Sequence, residues 1–180
     1  MFPEYPALEA HYLLLQRWNK ALNLTRIDSI DRNYGESIFL ARHLPAGPLN
    51  ICDIGSGAGF PGFPVAAVRP ECHVTLIESH QRKAVFLKEA SRSQPNITVL
   101  AKRAEEVQAT FDFAISRAVS AKDLAFILQL APNVALLAGE DTPCIPGISW
   151  DPPIPLPDSL NRYLWIGRGS VSRETGFRST

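Results

Sequence analysis

The sequence predicts an α/β fold, a doubly wound and mostly parallel sheet preceded by an N-terminal helical extension. Three observations predict it. From Leu49 onward, short apolar runs alternate with stretches of helical periodicity, the order that builds parallel strands joined by crossover helices. Before Leu49 the periodicity is helical only, and Pro45, Gly47 and Pro48 break the chain between the two regions. At the end of the first apolar run stands a glycine-rich turn, Gly55-Ser56-Gly57-Ala58-Gly59, at the edge where such sheets bind ligands. Residues 1–48 are therefore expected to form the extension and 49–180 the sheet domain, the two making one compact unit.

The elements follow in order. Leu8, Tyr12, Leu15, Trp18 and Leu22 recur at spacings of three and four, which is one face of a helix over 7–22. Trp18 lies on that stripe and reads as helix core. A second helix is expected over 31–43, with Asp31 as N-cap and Ile38 and Ala41 facing inward. Leu49–Ile54 is the first strand, and a helix runs through Val65–Val68. His73–Ile77 is the second strand and leads into Glu78. The helix over 80–92 turns Lys83, Phe86, Leu87 and Ala90 to one side; its Arg82, Lys83 and Lys88 read as a solvated face. Ile97–Leu100 is the third strand and Phe111–Ser116 the fourth, with Phe111, Phe113 and Ile115 on one side by period two. A helix over 121–130 and a fifth strand, Asn133–Leu137, complete the alternation. Prolines crowd 139–160, which reads as an irregular loop. Tyr163–Ile166 returns as a last strand, and the polar tail after Gly167 is expected to fray.

Composition narrows the function. The chain has 180 residues, 46% of them hydrophobic, which suits a single buried core rather than a disordered polymer. Lys plus Arg number 18 and Asp plus Glu number 18, a balance that counts against a free-standing high-affinity nucleic-acid binder. A nucleic-acid enzyme with its cations gathered on one face remains open. No apolar run has the length of a membrane span, and the start lacks the basic flank and apolar stretch of a secretory leader. Cys52, Cys72 and Cys144 are widely spaced, without a CxxC pair, and read as reduced thiols in a cytoplasmic protein. No metal site is expected.

Glycines after a strand let a ligand approach the backbone. A carboxylate ending the next strand, Glu78, is placed beside that loop and can accept hydrogen bonds from ribose hydroxyls. Loop plus acid describes an adenosine-containing cofactor. Gly57, Gly59 and Gly62 match GxGxxG, the dinucleotide fingerprint. The Asp53-x-Gly55-x-Gly57-x-Gly59 phrasing looks more like the loop of S-adenosylmethionine-dependent methyltransferases. A structural glycine turn without a ligand is the third reading.

Several separate segments narrow the choice. They are Arg17-Trp18-Asn19-Lys20 through Asn23-Leu24-Thr25; Gly55 to Pro64; Val68-Arg69-Pro70-Glu71; Arg103-Ala104-Glu105-Glu106; and Ile115-Ser116-Arg117-Ala118. In this order they resemble the bacterial small-subunit (16S) ribosomal RNA (guanine-N7)-methyltransferase family, formerly the glucose-inhibited division protein B family. The similarity covers about 12–138. It implies a class I, Rossmann-like methyltransferase that binds S-adenosylmethionine and methylates guanine N7 in ribosomal RNA. Carried over by position, its cofactor contacts fall on Gly55, Phe60, Ala104, Glu105 and Arg117, with Glu78 on the ribose; the loop adds Gly57 and Gly59. The family's Lys-Gly after the fifth strand reads Ala138-Gly139 here, and its Arg-His before Asp-Ser reads Arg32-Asn33 before Glu36-Ser37. Because N7 carries a free lone pair, no catalytic acid or base is assigned. The partner implied is ribosomal RNA or the small ribosomal subunit, met by a monomer, with Lys20, Arg26, Lys122 and the helix over 80–92 as candidates for phosphate contact.

Overall fold

A computed structural model describes residues 4–25, 30–117, 119–157 and 159–170. Arg26, Ala118 and the tail 171–180, all named above, lie outside the described residues. The chain runs α1 (Pro6–Leu22), α2 (Ile30–His43), β1 (Asn50–Ile54), α3 (Gly62–Val68), β2 (His73–Ile77), α4 (Gln81–Ala90), β3 (Ile97–Leu100), β4 (Phe113–Arg117), α5 (Ile127–Leu130), β5 (Asn133–Ala138), β6 (Ile148–Trp150), β7 (Ile154–Pro155) and β8 (Tyr163–Gly169). The sheet has eight strands in the order β3-β2-β1-β4-β5-β8-β6, with β7 also on β8. Strands β1 to β5 pair in parallel, and β8 returns antiparallel to β5. The mostly parallel, doubly wound fold is the one expected. No helix among the described residues is long and apolar enough to cross a membrane.

Alternation along the strands sends side chains to two cores. Ile51, Val74, Leu76, Phe113, Ile115 and Leu137 meet the four longer helices, where Leu8, Leu15, Tyr34, Leu40, Phe63 and Phe86 are buried. Cys52, Ile54, Ala114, Val134 and Leu136 face the other way, against Leu124, Ile127, Leu130 and Trp165. The N-terminal helices thus share one core with the central strands. Helical cover on the second face is sparse: a 3₁₀ turn at Ala121–Leu124, then α5. The single helix expected over 121–130 is broken into these two short turns, both of which pack on the second core.

Other boundaries moved for physical reasons. In α1 the fully buried line is Leu8, His11, Leu15 and Asn19, and Tyr12 and Trp18 flank it; Trp18 packs at 5.7 Å from the Phe86 ring. The two polar members are satisfied, Asn19 by exchanging hydrogen bonds with the Thr25 backbone at 2.9 Å each way. Asp31 sits in the first turn of α2, not at its cap, where its charge still suits the helix dipole. The inward face of α2 is Asn33, Tyr34, Ser37, Leu40 and Ala41, with Ile38 only half-buried. Phe111 precedes β4 and packs with the second core, opposite Phe113 and Ile115. Within 139–160, β6 and β7 add short antiparallel pairs to β8, where few ladder bonds are needed and proline is tolerated. The last strand extends past Ile166 to Gly169.

Two motifs prove to be clasps. Arg69 donates to the carbonyls of Ala41, Pro45 and Gly47 at 3.0, 2.9 and 2.9 Å, tying the α2–β1 connection to the end of α3. At Gly62 an added Cβ would lie 2.4 Å from Leu76 Cδ2 and 2.7 Å from Asp53, so this position needs glycine for close helix–sheet packing.

Candidate cofactor cleft

The glycine loop is folded by backbone bonds of its own. Gly55 and Ser56 donate to the Ile77 carbonyl at 3.0 and 3.1 Å, and Gly59 and Phe60 donate to the Ser56 carbonyl at 2.7 and 3.0 Å. This chain of turns carries Gly57 at φ +59°, a left-handed conformation that glycine adopts without cost. Glu78, 7% exposed, grips the loop: its Oε2 accepts the Gly57 N–H at 2.8 Å and its Oε1 accepts the His80 N–H at 2.7 Å. The carboxylate is thereby held at the carboxyl end of β2 beside the loop, as the spacing predicts.

Next to it lies a cleft of about 180 Å³ at the carboxyl ends of β1, β2 and β3. Ile54, Gly55 and Ile77 form its floor, Ala104 and Glu105 one wall, and Val119 with Phe126 the other. Ala104–Glu106 is a 3₁₀ turn, and the N–H groups that open a helical turn have no preceding acceptor within it. Of the residues the sequence nominates, Gly55, Ala104 and Glu105 line this cleft, while Gly57 and Glu78 border it through their shared hydrogen bond. Lys102, Arg103 and Asp123 also line it. Sequence reasoning missed Val119, Asp123 and Phe126, which reach the cleft only because the connection after β4 folds over it.

Gly59, Phe60 and Arg117 are directed elsewhere. A Cβ on Gly59 would point at His11 Nε2 and Phe63 Cβ, 3.0 and 3.2 Å away. Phe60 is buried against Tyr34, with ring centroids 4.9 Å apart. The Arg117 guanidinium lies 5.7 Å over the Phe60 ring and donates to Asn33 Oδ1 of α2. It also stands 3.8 Å from Glu36, a carboxylate 2% exposed that takes Arg162 Nε and Nη2 at 2.7 and 2.9 Å. The carboxylate beside Arg117 is thus one that the protein supplies. Lys20 and Lys122 are exposed.

Beneath the loop sit two buried titratable groups. His11 Nε2 bonds the Ala58 carbonyl at 3.0 Å, so Nε2 carries the proton and Nδ1 accepts from the Tyr34 hydroxyl. Its ring stacks on Phe63 at 4.2 Å. Burial lowers its pKa to about 3, against the Ala58 hydrogen bond. Asp53 Oδ2 accepts the Gly62 N–H at 3.0 Å, and its buried Oδ1 has no hydrogen-bond partner among the described residues. Burial raises the Asp53 carboxyl to about 7, although the Gly62 amide and the Arg117 charge oppose the rise.

These two shifts make opposed demands on stability. Unfolded histidine takes up a proton near pH 6.5 while folded His11 stays neutral, so its contribution is lost as pH falls from about 6.5 toward 3. Unfolded aspartate ionises near pH 4 while folded Asp53 stays protonated, so its contribution is lost as pH rises from about 4 toward 7. Between about pH 4 and 6.5 the two slopes cancel, each being at most about 1.4 kcal/mol per pH unit. Urea unfolding across that window is expected to show His11→Gln losing stability with rising pH relative to the parent, and Asp53→Asn losing it with falling pH. Parallel profiles for parent and variants would show that neither group titrates as its burial demands.

Comparisons with known proteins bear on the family and the fold. The family model described as rRNA small subunit methyltransferase G matches residues 4–134. The ribosomal RNA small subunit methyltransferase G of Halorhodospira halophila is 39% identical over 146 residues, covering 76% of this chain and 69% of that protein. The protein of the same name from Nitrosomonas europaea is 44% identical over 115 residues, covering 59% of this chain and 53% of its own length. The aligned region thus spans between about half and seven-tenths of these relatives. A crystal structure of a SAM-dependent methyltransferase from Aquifex aeolicus superposes with a TM-score of 0.61 at 14% identity, over 82% of this chain and 96% of that one, which shows the shared fold.

Proposed function

Because the chain belongs to the rRNA small subunit methyltransferase G family, we propose that it transfers the methyl group of S-adenosylmethionine to N7 of a guanine in small-subunit ribosomal RNA. The observation that carries the reading is the Glu78–Gly57 hydrogen bond beside a cleft walled by Ala104 and Glu105.

The residues present fit the cofactor. Gly55 is one test: a Cβ there would lie 2.9 Å from Val119 Cγ2, across the cleft that an adenosine needs. Ile54, Ile77 and Phe126 offer apolar surface to a purine, and Glu105 and the Ala104 amide offer it polar partners. Glu78 would take the ribose hydroxyls, with Gly57 the backbone beside it. Phe60, Gly59 and Arg117 would support the loop from behind, through the His11, Tyr34 and Asn33 contacts.

Bound S-adenosylmethionine supplies an electrophilic methyl group. Guanine N7 presents a lone pair in the neutral base, so the protein has no proton to remove. Its work is to hold the nitrogen in line with the methyl group and to keep water out, and proximity and orientation supply much of the rate. The base must be unpaired or flipped from its stack to reach the cleft. The reading extends to a cytoplasmic monomer whose partner is ribosomal RNA or the small subunit.

Transfer of labelled methyl to small-subunit RNA, naked and in assembled subunits, tests the reading, with the product mapped by strand scission at N7-methylguanine. Label that is found only outside guanine, or only in protein, would defeat it. Glu78→Ala is expected to weaken S-adenosylmethionine binding by about 1–3 kcal/mol, the range for losing the partner of a hydrogen-bonded polar group. Calorimetric titration of a variant with a native circular dichroism spectrum measures this, and unchanged affinity would place Glu78 outside the site.

A further inference from the structure

A second cleft, of about 260 Å³, opens at the carboxyl ends of β4 and β5. Val119 lines both this cleft and the first, so the two adjoin across one side chain. Its walls are Val119, Leu124, Leu136 and Pro143. Its polar groups are less evenly placed. Ser116 is committed, donating its hydroxyl to the Ile54 carbonyl at 2.8 Å. Asp141 and Thr142 stand at the exposed rim. Asp141 has no hydrogen bond or ion pair to any other described residue, and no cation lines the cleft. Apolar walls with one uncommitted carboxylate suit a flat, neutral ligand that brings hydrogen-bond donors, not a phosphate.

We propose that this cleft seats the acceptor guanine, with the Asp141 carboxylate accepting hydrogen bonds from its N1–H and exocyclic N2–H. The chemistry selects for both base and orientation. Guanine carries two donors on that edge and its N7 acceptor on the other. A carboxylate bound to the donor edge therefore leaves N7 turned away from Asp141. Adenine offers an acceptor at N1 and no amine at C2, so the same carboxylate repels it. Flipped bases are read in this manner, by their Watson–Crick edge and by apolar side chains on their faces. The inference rests on guanine being the methyl acceptor, and it assigns specificity to a residue outside the cofactor cleft.

The chain carries its own reporter. Cys52 and Cys72 are buried, whereas Cys144 is exposed and lines this cleft. Alkylation of Cys144 by iodoacetamide, followed by mass spectrometry, therefore reads occupancy without turnover. In the presence of S-adenosylhomocysteine, millimolar GMP is expected to slow alkylation several-fold more than AMP does. In Asp141→Asn the ratio between the two nucleotides should fall to near one; taking that ratio within each protein removes any direct effect of the lost charge on the thiol. Asp141→Asn should also lose about tenfold or more in kcat/KM for methyl transfer to small-subunit RNA, with unchanged affinity for S-adenosylmethionine. Equal protection by GMP and AMP in the parent would overturn the proposal. So would an Asp141→Asn variant that transfers methyl as fast as a parent shown to be active. If the parent transfers no methyl to RNA, yet GMP protects Cys144 through Asp141, the guanine seat stands and the function proposed above falls.

Discussion

Gly57→Val is expected to weaken S-adenosylmethionine binding by more than about 100-fold, close to 3 kcal/mol or beyond, while the sheet stays folded. The two halves of that expectation have separate causes. A Cβ at Gly57 would meet nothing nearer than the Gly55 carbonyl at 3.8 Å, so the core gains no clash. The backbone, however, is at φ +59°, which a β-branched residue resists. The loop must then take another path, and the Gly57 N–H leaves Glu78. One substitution thereby blocks the ligand's approach to the backbone and frees the carboxylate that would hold the ribose. Titration with S-adenosylmethionine alongside a urea melt separates binding from folding. Parent-like affinity in a folded variant would remove the glycine loop from the site.

Glu36→Ala is expected to destabilise the protein by about 3–5 kcal/mol, the cost of leaving buried charges without their partner. For a chain of this size that is a fall in melting temperature on the order of ten degrees. Glu36 is 2% exposed and takes Arg162 through both of its oxygens, with Arg117 at 3.8 Å. Removing it sets two guanidinium groups side by side. Adding Arg162→Met to Glu36→Ala should recover part of the loss, since one of the two cations is then gone. A melting temperature within two degrees of the parent would show the network to be solvated.

The contrast between these two residues shows what can be read in a sequence. Gly57 and Glu78 announce themselves because their roles are local: a strand, a turn, a helix, and a carboxylate at the end of the next strand. The same holds for β2 and β3, whose observed bounds are those expected. Glu36 and Arg117 are visible as motif letters, but their mutual contact depends on how α2 lies across the end of β4, which no spacing encodes. His11 hides on an apolar stripe, and the Ala58 carbonyl and Tyr34 hydroxyl, both far away in sequence, explain why a polar side chain is buried there. Val119, Asp123 and Phe126 belong to the cleft through the fold of one connection, and that connection broke the expected helix over 121–130. Proline content concealed β6 and β7, because short edge pairings tolerate what a central strand cannot.

The bond between His11 and Ala58, with the shared core behind it, also bears on how the chain acquires its structure during synthesis. Helices α1 and α2 are translated first, yet the surface they must cover is made by strands that come later, and Arg162, the partner of Glu36, comes later still. Contacts of such long sequence separation are slow to form. Until β4 and β5 have been made, the apolar stripes of the first two helices have only part of their sheet to close on, and nascent chains with exposed apolar faces are prone to aggregate. Slowing translation between β3 and β5 should therefore lower the yield of soluble protein, an effect that a chaperone holding the N-terminal helices would reverse.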